Sequence, residues 1–587
     1  MQRCNLLIVV VALVVALLST AAPTVAAARK GVSCRVLKNP FTMASRKCLC
    51  QPCYACEFSI MKGGCSLIPV GGASLSDGSD QKLDQPELDP KEWFLTEDEM
   101  TLSRWGVPRA DLELYTTGNE VTSYVVGDEY FRAVLDEFDN ANENDRIFLT
   151  GWSVDDVPFD PTKDQSGATT GFKKLISNAV NRGADFRSLV WPNLLERRQN
   201  IKMRDFINRL PLPKAHGPAR FVFDDRLPAG GIASHHQKSV IFDKDDDLVA
   251  YVGGIDLTNE RWDTIKHDQA ALRRSAKIRR LFDGWLDAQL KLHGPAAKDV
   301  ANNFLSRWNS GVKPSQGIID DLLDFENPNY EALPAVNMTN KKLAGSGTSA
   351  VQVARTFSCK TKKYHEFAPR GENSLFHARI KAIRNAKNYI YIEDQYFVLV
   401  PELLDELLKA MPRINRLVVV AQRTIDATKV TGYERFLYDM VAPIQRLYPN
   451  KFQLYTTRKD RKLYIHTKAF IVDDVYLSVG SSNWNRRSMT SDSEIGANVV
   501  DTEIVSTPDG ITVNKVARDF RIRKFQEMTG LGYDDLVKMT FIDAANALDA
   551  ATTSSTGIIE PLEVDNKPYY AAFTTDIRQL VDPQDSC

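Results

Sequence analysis

Histidine, net charge and long apolar runs are all scarce in this chain. Of 587 residues only 8 are histidine, and Lys+Arg number 74 against 75 Asp+Glu. A formal charge of -1 excludes a grossly basic nucleic-acid binder, although a basic cleft can hide inside a balanced total. The composition has neither a collagen-like, a heptad nor a polar low-complexity bias, so fibrous, coiled-coil and wholly disordered readings fall away. Beyond the N-terminus no apolar stretch is long enough to span a bilayer. Cysteine is nearly absent from the bulk of the chain: after Cys65 only Cys359 and Cys587 occur.

What the bulk lacks, the N-terminus concentrates. Arg3 precedes an unbroken apolar run from Leu6 to Leu18, and Ala26-Ala27-Ala28 follows. The run is shorter than the roughly 20 residues a membrane-spanning helix needs. Residues 1–28 therefore read as a secretory signal peptide, an uncleaved signal anchor being the alternative, and the expected location is secreted, extracellular. Six cysteines (Cys34, Cys48, Cys50, Cys53, Cys56 and Cys65) fall within 29–70. In an exported chain they read as a disulfide-stapled module, although Cys53-x-x-Cys56 alone also suits zinc or redox chemistry. Whether Cys359 pairs with Cys587 stays open. Residues 71–94, rich in Gly, Ser, Asp and Pro, read as an acidic linker.

The remainder repeats itself. A helix at Tyr130–Phe138 leads to a strand at Ile147–Thr150, a helix at Phe172–Val180 to a strand at Phe186–Val190, and a strand at Arg220–Phe223 to the segment His236–Asp243. In the same order, Ser374–Ala386 leads to Tyr389–Ile392, Glu402–Ala410 to Leu417–Val420, and Phe452–Tyr455 to His466–Asp473. Alternating helices and short apolar strands argue for an α/β protein, and the matching order argues for two copies of one unit.

Each copy carries one spacing, His236-x-Lys238-x4-Asp243 and His466-x-Lys468-x4-Asp473. Residues two apart on a strand emerge on one face, so His and Lys stand side by side while the apolar residues that follow hold them on a buried strand. A second echo follows, Gly253-Gly254-Ile255-Asp256 and Gly480-Ser481-Ser482-Asn483. Glycine permits close backbone approach, and Ser and Asn supply hydrogen bonds suited to phosphate. One His-x-Lys is an ordinary polar pair; two, in duplicated halves of a histidine-poor chain, mark a site.

These residues resemble the phospholipase D superfamily, whose signature is the duplicated His-x-Lys-x4-Asp motif. Several segments resemble its eukaryotic-type members more narrowly. They are Gly253–Thr258 running on to Arg261-Trp262-Asp263, then Ile390–Phe397, Asp492-Ser493-Glu494-Ile495, and Ala517-Arg518 through Phe525 to Gly530-Leu531. Asp394 stands where that group has Asn, and three extra residues separate Asp243 from its Gly-Gly. The resemblance implies a duplicated phospholipase D-like fold, two α-β-α-β-α sandwich halves with mixed sheets sharing one cleft. The halves fall at 95–335 and 351–545, with a linker at 336–350 and an extension at 546–587.

It also implies a phosphodiesterase without metal or cofactor. His236 would attack phosphorus, and protonated His466 would release the alcohol and then activate water. Lys238 and Lys468 would clamp the nonbridging oxygens, helped by Gly254 or Asp256 on one side and Ser481 and Asn483 on the other. Glu494 would orient the opposite histidine. Asp256 to His267 is the same step as Asn483 to Glu494, which makes His267 the counterpart candidate. Asp243 and Asp473 complete the motif either as catalytic groups or as braces at the strand ends. The expected activity is hydrolysis of a phosphatidylcholine-like glycerophospholipid at a membrane or vesicle surface. It would be carried out by a monomer with no nucleic-acid partner, and transphosphatidylation is open. A secreted single-strand nuclease of the superfamily and a non-catalytic lipid-binding effector are the alternatives.

Other features take plainer readings. His235 points to the opposite strand face. Asp243, Asp245 and Asp247 alternate like a calcium loop but lack its closing Glu, so a solvated hairpin is expected. Arg273, Arg274, Lys277, Arg279 and Arg280, with Ile278, Leu281, Phe282 and Trp285, read as an amphipathic helix, a membrane-surface contact being the alternative. Asn337-Met338-Thr339 is an N-glycosylation sequon.

Overall fold

A computed structural model describes residues 56–58, 65–67, 82–210, 220–228, 233–314, 322–339, 341, 347–424, 432–566 and 582. The chain divides into two units, Met1–Ser79 and Asp80–Cys587. In the first, Cys56–Phe58 pairs antiparallel with Cys65–Leu67. The expected signal segment, the rest of the cysteine-rich stretch and Cys587 with its candidate pairing lie outside the described residues.

The second unit is built on a 16-stranded sheet. Half 1 contributes β1 (Thr116–Tyr124), β2 (Arg146–Gly151), β3 (Asp185–Val190), β4 (Arg220–Phe223), β5 (Ser239–Asp243), β6 (Leu248–Gly253) and β8 (Gln289–His293), while β7 (Gly284–Leu286) lies off this sheet. Half 2 contributes β9 (Ser349–Phe357), β10 (Tyr389–Asp394), β11 (Arg416–Ala421), β12 (Phe452–Thr457), β14 (Lys468–Val472), β15 (Tyr476–Gly480) and β16 (Glu494–Asp501), with β13 (Leu463–Ile465) paired parallel to β7. From the outer edges inward the order is β4-β3-β2-β5-β6-β8-β1 in one half and β12-β11-β10-β14-β15-β16-β9 in the other. The two orders correspond strand for strand, and the β1–β9 pairing joins the halves edge to edge. Each outer trio is parallel and the inner strands are antiparallel.

Local sequence explains these elements. β11 reads Arg-Leu-Val-Val-Val-Ala, the continuous apolar run of a parallel strand covered on both faces. Among the helices are α1 (Gly127–Asp139), α2 (Phe172–Asn181), α3 (Arg197–Asn208), α4 (Ala270–Ser275) and α5 (Pro295–Asn309). On α1, Tyr130, Phe131, Val134 and Phe138 recur at helical spacing and are buried. Phe138 meets Phe159, Phe172 and Phe242 edge-on at centroid distances of 5.3 to 6.4 Å, which anchors the core of half 1. Among the described residues no helix is long and apolar enough to cross a membrane.

Three expectations need correction. The linker does not extend to residue 94: Asp84 and Asn388 exchange two 2.8 Å hydrogen bonds, and Trp93 is buried against Tyr476, so 82–94 belongs to the body. The boundary at 545 cuts a helix, Phe541–Ala551, and Ile559–Pro561 adds an edge strand beside β12, so much of the extension is part of half 2. The basic run Arg273–Arg280 is not one helix. α4 ends at Ser275, Lys277 takes a left-handed φ of 59°, and Trp285 lies in β7. Residues 244–247 do form the expected hairpin, Lys244 N–H donating to Asp247 O at 3.0 Å.

Candidate active site

Both His-Lys pairs stand at the start of equivalent strands, His236 and Lys238 ahead of β5, His466 just ahead of Lys468 at the start of β14. The flanks of His236 are tied down on the opposite face. His235 pairs with Ser493 Oγ at 2.6 Å, and Gln237 Oε1 accepts from Arg307 and Asn303 at 2.8 Å each. That alternation leaves His236 and Lys238 together, as the period-2 argument requires.

The two halves then exchange supports. His236 of half 1 pairs through Nδ1 with both carboxylate oxygens of Glu494 of half 2, at 3.1 Å each. His466 of half 2 pairs through Nδ1 with Asp287 Oδ2 of half 1 at 2.7 Å. Each ring is thus oriented by a fully buried carboxylate from the other half, leaving Nε2 as its nitrogen for chemistry. Lys238 Nζ donates to His236 O at 2.8 Å and lies 3.4 Å from Asp256 Oδ2. Lys468 Nζ donates to His466 O and to Gln395 Oε1.

The two His-Lys pairs feel each other's charge. Burial, reinforced by Lys238 and Lys468, holds His236 well below the ordinary imidazole range. Burial, Lys468, Arg261 and Lys238 do the same to His466. Burial pushes Glu494 up to about 7 and Asp287 up to about 6, and it lowers Lys468 to about 8. Burial thus disfavours charge on both members of each histidine–carboxylate pair.

Several expected residues take different work. Gly254 N–H donates to Ala288 O at 2.9 Å, so it is not a phosphate donor. A Cβ at Gly254 would sit 2.1 Å from Asp287 Oδ1, and the glycine makes room for that carboxylate. Asp256 accepts Trp152 N–H at 2.9 Å and braces Lys238; its charge is of the wrong sign for phosphate. Ser481 Oγ donates to Glu494 Oε2 at 2.5 Å, supporting the carboxylate instead of a ligand. Asn483 keeps a buried side-chain oxygen without a protein partner, so its amide remains available.

Asp243 and Asp473 stand apart from the histidines. Asp243, at the far end of β5, accepts from Arg146 Nε at 2.7 Å and lies 2.7 Å from Lys341 Nζ. Asp473 accepts the backbone N–H groups of Lys387, Asn388 and Tyr389 at 2.7 to 2.8 Å, clamping the start of β10. Both are braces. His267 is not the counterpart of Glu494. It pairs with Asp263 at 2.7 Å and Glu527 at 3.1 Å, away from His466, and those carboxylates outweigh burial to push it up to about 9.

The counterpart that sequence counting missed is Asp287. β6 and β8 pair with Gly253 opposite Gln289, and β15 and β16 pair with Gly480 opposite Gly496. Asp287 precedes Gln289 by two residues, as Glu494 precedes Gly496. The step from Asp256 to Asp287 is 31 positions against 11 from Asn483 to Glu494, the excess lying in the stretch that carries α4, so counting along the chain stops at the wrong residue. Arg261, stacked 4.1 Å over Trp285, and Trp285, 5.2 Å from His466, complete that side.

A family pattern described as Phospholipase D matches residues 143–444, just over half of the chain. The chain belongs to the phospholipase D family. A second pattern, Cardiolipin synthase, PLD-like domain, matches residues 380–510 of this family member. Phospholipase D beta 1 of Arabidopsis thaliana is 25% identical over 499 residues, covering 62% of this chain and 45% of that protein. Phospholipase D gamma 1 of the same plant is 26% identical over 490 residues, covering 60% and 56%. The chain spans about half the length of the curated relatives it matches. Among solved structures, a phosphatidylserine synthase from Haemophilus influenzae aligns with a TM-score of 0.45 and 15% identity, covering 66% of this chain and 84% of that one.

Proposed function

We propose that this protein is a secreted phospholipase D-type phosphodiesterase that hydrolyses phosphatidylcholine-like glycerophospholipids through a phosphohistidine. The observation that carries the reading is the exchange of carboxylates: each histidine, flanked by a lysine, has Nδ1 held from the opposite half. Names of the relatives and the signal-like N-terminus support the lipid and export parts of the reading.

The chemistry follows from charge. Burial, reinforced by Lys238 and Lys468, disfavours charge on both imidazoles, which suits His236 as nucleophile. An anionic phosphodiester drawn between Lys238 and Lys468 offsets those positive charges and lets His466 hold a proton, steadied by Asp287. His236 Nε2 then forms the P–N bond as the P–O bond to the head group breaks, and the His466 proton goes to the leaving alkoxide. Water, giving a proton to His466, attacks phosphorus and breaks the P–N bond, leaving phosphatidic acid. A primary alcohol in place of water gives the transphosphatidylation product.

The test is purified protein on phosphatidylcholine vesicles with ethanol present, beside His236→Asn. Phosphatidylethanol from the parent and none from the variant is the expected result. Cleavage of a single-stranded oligonucleotide in place of lipid would shift the reading to a nuclease. Vesicle binding without product would shift it to a non-catalytic effector, and undiminished turnover by the variant would remove His236 from its role.

A further inference from the structure

Three large apolar side chains stand exposed on two loops near the site. Leu194 and Leu195, 58% and 60% exposed, follow β3; Leu281, 68% exposed, lies in the turn between α4 and β7. The two loops are tied together, Arg280 Nη1 lying 2.8 Å from both carboxylate oxygens of Glu196 and Nη2 reaching Gln199 Oε1 at 2.5 Å.

Neither loop exposes leucine by fraying. The backbone N–H groups of Arg280, Leu281 and Phe282 all donate to Glu260 Oε1, at 3.0, 2.5 and 2.9 Å. Buried Arg273 holds Phe282 O from beneath at 3.1 Å, and the Phe282 ring packs 4.5 Å from Tyr464. On the other loop, buried Asn193 accepts Leu195 N–H at 2.9 Å. Ile278 of the same basic run is buried while Leu281 faces water, so the fold has sorted these side chains. One exposed leucine would be ordinary; three on two loops tied to each other and rimmed by polar side chains make a patch of the kind that marks an interaction site.

Both loops adjoin the chemistry. Trp191, three residues before Leu194, lies 5.8 Å from Trp152, whose backbone N–H holds Asp256 beside Lys238. Trp285, shortly after Leu281, packs on His466. The border is basic: Arg198, Lys202 and Lys277 are exposed, while the acids of these loops are paired, Glu196 with Arg280 and Asp283 with Arg279 and Arg274. Aliphatic tips backed by cations fit the boundary between acyl chains and anionic head groups. A protein-binding patch would be expected to centre on large buried aromatic anchors, which these tips lack.

We propose that Leu194, Leu195 and Leu281 form an interfacial anchor that enters a lipid surface, with the bordering cations on lipid phosphates, and holds the cleft mouth against the bilayer. The proposal rests on the lipid-substrate reading above.

The test compares the full protein with the double variant Leu195→Ser/Leu281→Ser, after equal melting temperatures show that the exposed changes leave the fold intact. Co-sedimentation is measured with phosphatidylcholine vesicles containing phosphatidylserine. Hydrolysis is measured on those vesicles and on a short-chain phosphatidylcholine kept monomeric in solution. Expected is a loss of about tenfold or more in vesicle binding and vesicle turnover, with monomeric-substrate turnover unchanged. A parent that hydrolyses both substrates, with a variant that binds and turns over vesicles equally well, overturns the anchor and leaves the lipid reading standing. A parent that cleaves neither lipid form overturns that reading and the anchor with it.

Discussion

The two histidines of the site are held by arms that occupy the same place in each half yet differ in build. Glu494 reaches His236 with both oxygens and leans on Ser481, whereas the shorter Asp287 meets His466 through one oxygen at 2.7 Å. Asp287 comes so close to the backbone of position 254 that only glycine fits there, where the other half has Ser481. Duplication has thus conserved the geometry of a carboxylate on Nδ1 while the side chains that deliver it have diverged. The lesson is that equivalence here is kept by strand pairing, and residue identity is free to drift around it.

The comparison breaks most completely at the rings themselves. His236→Asn and His466→Asn should each lower kcat by at least about a thousandfold. With lipid labelled at phosphorus, only His466→Asn should accumulate label on the protein; label retained by His236→Asn would reverse the roles. Next come the arms. Asp287→Ala and Glu494→Ala should each cost on the order of a hundredfold in kcat, and an unaffected Asp287→Ala would dissolve the exchange between halves.

The neighbours of the arms sharpen the contrast further. Gly254→Ala would press on Asp287 and should lower kcat by about tenfold or more, with a modest fall in melting temperature from the overpacked position. Ser481→Ala removes one hydrogen bond to Glu494, about 1 kcal/mol or roughly fivefold. Equal effects of the two would show that the glycine has no special part.

The smallest expected effect concerns the histidine that does not react. His267 is raised from 6.5 to about 9, so its charge contributes stability fully below about pH 6.5, and that contribution is lost as pH rises through about 9. His267→Asn should therefore lower the melting temperature at pH 6 and by less at pH 9.5. His236 and His466, pushed down instead, should show no such pattern, and a pH-independent loss in His267→Asn would refute the charged state.

Much of this was legible in the sequence because it is local. The His-Lys pairs share a face through a two-residue period, and the apolar runs that bury β5 and β14 follow them directly. The order of helices and strands was visible in both halves for the same reason. The longer stretch that carries α4 spoiled the one inference that relied on counting: it led to His267, while the partner of His466 lay further along at Asp287. Likewise, Arg273–Leu281 carries a helical pattern, but the Glu260 carboxylate gathers three backbone N–H groups there and turns Leu281 outward.

By itself, then, the sequence determined the duplication and the two His-Lys pairs, since each depends on contacts within a few residues. Tertiary structure alone decided which carboxylate serves which histidine, that Gly254 makes room for Asp287, and that Asp243 and Asp473 are braces. Those outcomes depend on strand register and on contacts between residues as far apart as 258 positions in the chain, which no local period encodes.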